Sequence, residues 1–319
     1  MGSDREQKLI AWLSENGYEK ASIADLSGDA SFRKYYRVKK KNLSYVVMDC
    51  PPDKENLKSF IAVTEKLHNG KVNAPKLFDC DQENGFLVLS DLGDDLYSRK
   101  LDSETVYCLY TDALEAIVKM QVGVDCSDLE SFDELYQEEN NLFIDWFLGN
   151  HLEINKDDGH LDPINTEFNR LNALLKEIPQ TFVHRDFHVS NLMYHNKKIA
   201  VIDSQDALIG NRAYDLASLI DDVRLKTPNE LKEKVFKFYV KTNKKIDLEQ
   251  FKKDFEILSV LRNLKIIGIF MRLAVRDNKK KYLKLIPYAW IMINHRIKEQ
   301  NEFNNLMLLL KNNFPKLIR

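Results

Sequence analysis

The chain has 319 residues, 44% hydrophobic and 30% charged, with a formal charge of −2. That is ordinary globular composition, long enough for two lobes and a sizeable core. The balanced charge excludes a global basic field for nucleic acid, and no apolar run approaches the roughly 20 residues of a membrane span. The four cysteines, at 50, 80, 108 and 126, form no CxxC pair. With no signal peptide read at the N-terminus, a reducing cytoplasm is the expected home. The lysine triplets at 39–41 and 279–281 read as solvated turns.

In chain order, residues 5–16 read as a helix with Leu9, Ile10 and Leu13 on one face. Two short strands follow, Tyr35–Val38 and Tyr45–Met48, across a lysine-rich turn. A helix is expected from Leu57 to His68, with Phe60, Ile61, Val63 and Leu67 fitting a face packed on a sheet. A strand around Phe78 and a buried strand at Gly85–Leu89 complete a small sheet. Ser90–Asp95 is polar and reads as a hinge. Helices then dominate, at about 103–121, 130–150, 163–177, 212–224, 229–241, 248–276 and 283–311. The fold class is therefore α+β, with a protein-kinase-like two-lobe arrangement. Residues 1–91 form a small nucleotide-binding lobe containing the sheet, and 92–319 a larger, mainly helical catalytic and substrate lobe.

The most informative stretch is His184-Arg185-Asp186-Phe187-His188-Val189-Ser190-Asn191, followed by Val201-Ile202-Asp203. Kinase-type phosphoryl transfer needs one carboxylate to orient and deprotonate the accepting hydroxyl. It also needs an amide oxygen and a second carboxylate to hold magnesium on the ATP phosphates. Asp186 supplies the first group, Asn191 and Asp203 the others, in kinase order and spacing. Between them Leu192–Tyr194 and Ile199–Ile202 flank a polar turn and read as a hairpin. His184 and His188 have the spacing of a helical zinc pair, but no HExxH accompanies them. The lysine that kinases carry on the third strand is missing, since that strand reads Tyr45-Val46-Val47-Met48-Asp49. Arg33, Lys34 and Arg37 are the candidates to replace its charge, and Glu65 on the next helix has no evident partner.

These segments resemble the aminoglycoside phosphotransferase-type small-molecule kinases along nearly the whole chain. Within that group the chain is most similar to the bacterial anomeric kinases of cell-wall recycling, which act on N-acetylmuramate and N-acetylglucosamine. The resemblance is carried by Gly28–Arg37, Val47–Pro52, Gly85–Gly93, the catalytic loop, Ile202–Ala207, Tyr214–Leu219 and Arg262–Phe270 with Arg276-Asp277. It implies ATP and Mg2+ as cofactors, a small sugar as partner molecule, and neither nucleic acid nor membrane as partner. Oligomeric state stays open. It implies nucleotide contacts from Gly28, Ala30, Ser31 and Arg33, with the adenine edge on backbone near Asp91 and Leu92. Asp215 is implied to brace the catalytic loop by accepting backbone hydrogen bonds, and His184 reads as a core histidine packed beneath it. Asp206 either faces the metal and sugar or caps a turn. At about 100° per residue, Arg262, Lys265, Arg272 and Arg276 share a sector of roughly 80°. They are either a solvated helix face or a holder for an anionic substrate group. Two alternatives stand beside the sugar kinase. One is a kinase for another small alcohol of aminoglycoside, choline or homoserine type, and the other is a nucleotide-binding pseudokinase.

Overall fold

A computed structural model describes residues 4–18, 22–26, 32–100, 105–132, 135–154, 159, 161–175, 180–243, 246–298 and 300–313. Contacts divide the chain into two compact units. One comprises residues 1–100 with 190–207, the other 101–189 with 208–319. Compared with the sequence-based boundary at 91/92, this division moves 92–100 and the hairpin segment into the small unit.

The small unit opens with helix α1, Asp4–Leu13. Strands β1 (Ser22–Leu26), β2 (Lys34–Lys40) and β3 (Leu43–Asp49) follow. Helix α2 (Leu57–Asn69) then precedes β4 (Leu77–Asp81) and β5 (Phe86–Ser90). The five strands form one antiparallel sheet in the order β1-β2-β3-β5-β4. Strand alternation sends Val38, Val47, Phe86 and Val88 to one face, where Leu9 and Leu13 of α1 cover them. Met48, Leu87 and Leu89 go to the other, against Leu57 and Phe60 of α2. The uninterrupted apolar run of β5 follows from this burial on both faces. Asn56 caps α2, its side chain accepting from the Ser59 N–H. A short helix α3, Tyr97–Lys100, packs on the hairpin of β7 (Leu192–His195) and β8 (Lys198–Val201).

The large unit is built around one long helix. Its elements are α4 (Val106–Gly123), α5 (Tyr136–Leu142), α6 (Asp162–Leu174), β6 (Thr181–Val183), β9 (Leu208–Gly210), α7 (Ala213–Ile220) and α8 (Asn229–Thr242). They continue with α9 (Leu248–Val275), α10 (Ile286–Ile297) and α11 (Asn304–Asn313). α5 runs on as a π-helical turn, Phe143–His151. α9 is buried over most of its length because α5 with its π-helical extension, α7 and α10 all pack on it. Gly268 makes the closest approach possible. A Cβ there would lie 2.2 Å from the Leu142 carbonyl oxygen.

One expectation about elements is corrected, and three strands had drawn no expectation. β1 is an exposed edge strand with Ser22, Ala24 and Asp25 in it, so it carries no apolar run to read. β6 and β9 pair over three residues each, too few to show a period. The expected 283–311 helix is two helices, broken after Ile297 where a 3₁₀ turn at Asn301–Phe303 intervenes.

Candidate active site

In the small unit the hairpin fixes Asn191 and Asp203 at its two ends. The Ile202 N–H donates to the Asn191 carbonyl at 3.1 Å, closing the loop between them. Asp203 adopts φ 64°, a left-handed conformation that is uncommon for a residue with a side chain and clusters at functional sites. Its side chain is 41% exposed, and Oδ1 lies 3.4 Å from Arg33 Nη1. Arg33 is buried, and it also reaches Gln205 Oε1 at 2.8 Å and Glu55 Oε2 at 3.3 Å. Gln205 in turn is held from both ends. Its carbonyl accepts from Ser59 Oγ at 2.5 Å, and its amide donates to Asp206 Oδ2 at 2.9 Å.

The hinge segment of this unit is tied by Asp91. Its carboxylate accepts from Arg37 Nε at 2.7 Å and Nη2 at 3.0 Å, Ser44 Oγ at 2.5 Å and the Gly93 N–H at 2.9 Å. Burial pushes the Asp91 carboxyl up, but these donors, Arg37 foremost, hold it below the usual carboxylate range. Arg37 spends its remaining nitrogen on Asp94. The Leu92 carbonyl pairs with His195 Nδ1 at 3.0 Å, whereas the Leu92 N–H has no partner among the described residues.

In the large unit Asp186 follows Arg185, whose φ is 72°. The turn is held from below by Asp215 in the first turn of α7. Its Oδ2 accepts the His184 N–H at 2.8 Å and its Oδ1 the Arg185 N–H at 3.1 Å. Burial nevertheless pushes the Asp215 carboxyl up to about 7, against the pull of those two N–H groups and Arg262. Asp186 goes the other way. Removal from water pushes it up, but Lys265 above all, and Arg262 and Arg224 after it, hold it well below the carboxylate range. Neighbouring His188 is lowered to about 3 by burial and Arg224, so it is neutral near pH 7. Arg185 donates to Glu139 Oε1 at 2.9 Å. Glu139 also takes Lys265 Nζ at 2.6 Å and Tyr214 Oη at 2.9 Å, and Lys265 Nζ lies 3.1 Å from Tyr214 Oη.

Residues 22–249 match the model of the phosphotransferase enzyme family. The chain belongs to that family. Two relatives extend the likeness to nearly the full length. An N-acetylmuramate/N-acetylglucosamine kinase of Pseudomonas putida is 32% identical over 95% of this chain and 94% of that protein. One of the same name from Neisseria meningitidis serogroup B is 34% identical over 89% and 88%. Among solved structures, a choline/ethanolamine kinase family protein from Mesorhizobium loti superposes with a TM-score of 0.67. It is 15% identical, over 96% of this chain and 97% of that one. The ADP-bound aminoglycoside phosphotransferase APH(2'')-Ib gives 0.61 at 19% identity, over 92% and 99%. These likenesses show a protein-kinase-like fold, a small antiparallel sheet with a mainly helical remainder.

In this phosphotransferase the sequence-predicted residues stand in different surroundings. Gly28, Ala30 and Ser31 lie outside the described residues. Of the three candidate cations, Arg33 stands beside Asp203, Arg37 is committed to the hinge, and Lys34 is exposed. Glu65 is exposed, and the carboxylate that meets the cation is Glu55 instead. His184 is fully buried, its ring edge-on to Phe187. Asp206 is exposed and accepts from Gln205. The basic stripe of α9 does not act as a unit. Arg262 and Lys265 are 3% and 7% exposed, so they are no solvated face, and Lys265 is consumed by Glu139 and Tyr214. Arg276 is exposed and paired with Asp277 at 2.7 Å. Arg272 is half-buried, and burial followed by the charge of Arg276 lowers its guanidinium. Sequence reading missed Glu139, Asp222 and Arg224 altogether. The one signal that could have found two of them is the Asp221-Asp222-Val223-Arg224 run, three charged residues directly after an apolar helix.

Proposed function

We propose that this phosphotransferase moves the γ-phosphoryl group of ATP to the anomeric hydroxyl of N-acetylmuramate, N-acetylglucosamine or both. Such an activity belongs to peptidoglycan recycling in the cytoplasm. The observation that carries the reading is the likeness, over nearly the whole chain, to relatives that bear this activity in their names. No helix among the described residues is long and apolar enough to cross a membrane.

Asp186 orients the accepting hydroxyl and takes its proton. A carboxylate held this far below its ordinary range is a weak base, so its main contribution is position and negative charge. That suits a loose transition state, in which the protein mostly aligns groups and neutralises charge. Asp215 keeps the Asp186 turn in its left-handed bend through the two backbone N–H bonds.

Asn191 and Asp203 fit magnesium. One offers an amide oxygen and the other a partly exposed carboxylate, both hard donors. Among the described residues no three His, Cys, Asp or Glu side chains gather to cage an ion. That agrees with an ion whose other ligands are phosphate oxygens and water. When bound, magnesium would neutralise charge on the β- and γ-phosphates. Arg33 supplies the cation that a third-strand lysine gives other kinases, with Glu55 as its partner. The Leu92 N–H is the hinge donor for the adenine edge, while the Asp91 side chain is structural. Gly28, Ala30 and Ser31 complete the phosphate contacts.

A coupled ADP-release assay over amino sugars, aminoglycosides and amino alcohols tests the reading. Turnover confined to the N-acetylated sugars supports it. Turnover only on another alcohol keeps the kinase and removes the sugar, and ATP binding without turnover on any acceptor leaves a pseudokinase.

A further inference from the structure

Among the buried polar atoms of the large unit that have no hydrogen-bond partner in the described residues are His188 Nδ1, Asp222 Oδ2 and Arg262 Nη1. Their residues are 5%, 1% and 3% exposed. They belong to one cluster. His188 N–H donates to the Asp186 carbonyl at 3.0 Å. The charges of Arg224 and Arg262 bear on Asp186, His188 and Asp222 alike. Unpaired polar atoms on residues whose charges act on one another, with Arg224 bonded to Asp222 among them, make a place that a polar ligand would satisfy.

Arg224 gives the cluster its open edge. Its backbone N–H and its Nη1 both donate to Asp222 Oδ1, at 3.0 and 3.2 Å. Its Nε and Nη2 have no partner among the described residues, and the side chain is 28% exposed. An arginine anchored through one nitrogen, with the rest of its planar fork open, is set to receive a carboxylate at two points. The other cations near Asp186 lack this freedom, since Lys265 is spent on Glu139 and Tyr214 and Arg185 on Glu139.

We infer that His188, Asp222, Arg224 and Arg262 form the acceptor subsite beside Asp186, with Arg224 the specificity-determining residue that binds a carboxylate carried by the acceptor. The inference rests on the sugar-kinase reading, because the carboxylate is the lactyl group of N-acetylmuramate. Arg262 adds a second buried positive charge behind it, and Asp222 and His188 face the sugar's hydroxyls.

The test compares N-acetylmuramate with its lactyl amide, equal in shape but uncharged, in wild type, Arg224→Gln and Arg224→Lys. Within one preparation the ratio of the two specificity constants cancels any difference in folded fraction. Charge-assisted hydrogen bonds predict that wild type favours the acid by about ten- to a hundredfold. The ratio should fall toward one in Arg224→Gln and be partly kept in Arg224→Lys. The loss should appear in KM more than in kcat, because the contact is remote from the reacting oxygen. A merely structural Arg224 would lower both substrates together and leave the ratio where it was, and that result overturns the inference. So does a wild type that phosphorylates N-acetylglucosamine but neither muramyl compound. A wild type that phosphorylates none of the three removes the sugar-kinase reading itself, and the inference with it.

Discussion

Asp186 and Asp215, the second holding the turn of the first from α7, are two carboxylates with opposite electrostatic fates. Cations hold Asp186 ionised, and burial drives Asp215 toward its neutral form. This split agrees with the roles proposed for them, Asp186 toward the acceptor and Asp215 toward the backbone. Asp186→Asn should lower kcat by about 10²–10⁴-fold while ATP binding stays near wild type. Turnover within a few-fold of wild type contradicts the assignment. Arg33→Gln should raise KM for ATP more than Arg33→Lys does, since lysine keeps the charge but not the two-sided grip on Glu55 and Gln205. Equal KM values in both variants and wild type would remove Arg33 from nucleotide binding. Asp186, Asn191 and Asp203 were legible in the sequence because a loop and a hairpin place them within 18 positions of one another. Glu139 was not. Its partners Arg185, Tyr214 and Lys265 lie 46, 75 and 126 positions away, and only the fold brings them together.

The elements differ in the same way. β2, β3 and β5 announce themselves by local aromatic, β-branched or apolar runs and α2 by helical periodicity, and all four form close to where these signals place them. The stripe on α9 was visible too, but its meaning was not. Helical periodicity gives the angle of a residue and not what stands opposite it. Here α5 and α7 stand opposite, so half of the stripe is interior. Gly268 is a tight point of that packing, where an added Cβ would sit 2.2 Å from Leu142 O and 2.6 Å from Phe143 N. Those are backbone atoms and have no rotamer to turn aside. Gly268→Ala gains about 1 kcal/mol of helix propensity, while overpacking costs typically 1–3 kcal/mol and more where backbone must move. The variant should therefore melt below wild type. A melting temperature equal to or above wild type would show that α5 gives way easily.

At the scale of the whole molecule, buried charges of the large unit make stability depend on pH in two windows. The Asp215 carboxyl is raised to about 7, so between pH 4 and 7 the folded chain keeps a proton that the unfolded chain has released. Its contribution to stability therefore falls as pH rises through that window, by on the order of a few kcal/mol, and levels off above it. Asp221 is lowered to about 2 by Arg296 and Lys232 against the penalty of burial, and it accepts from Lys232 Nζ, Ser259 Oγ and Arg296 Nε. It contributes stability above pH 4 that is lost between about 4 and 2. Melting temperature against pH should show both limbs, and Asp215→Asn should flatten the upper one whatever it does to the absolute value. An upper limb unchanged by that substitution would place the titrating group elsewhere. The proposed reaction delivers the γ-phosphoryl group of ATP to the anomeric oxygen of an N-acetylated sugar. Phosphorus NMR of the reaction with N-acetylmuramate and N-acetylglucosamine tests it most directly. A phosphate resonance split by the single anomeric proton is expected, absent when Asp186→Asn replaces the wild-type enzyme. A phosphate split by the two protons of a primary carbon, or no sugar phosphate at all while ATP is bound, would contradict it.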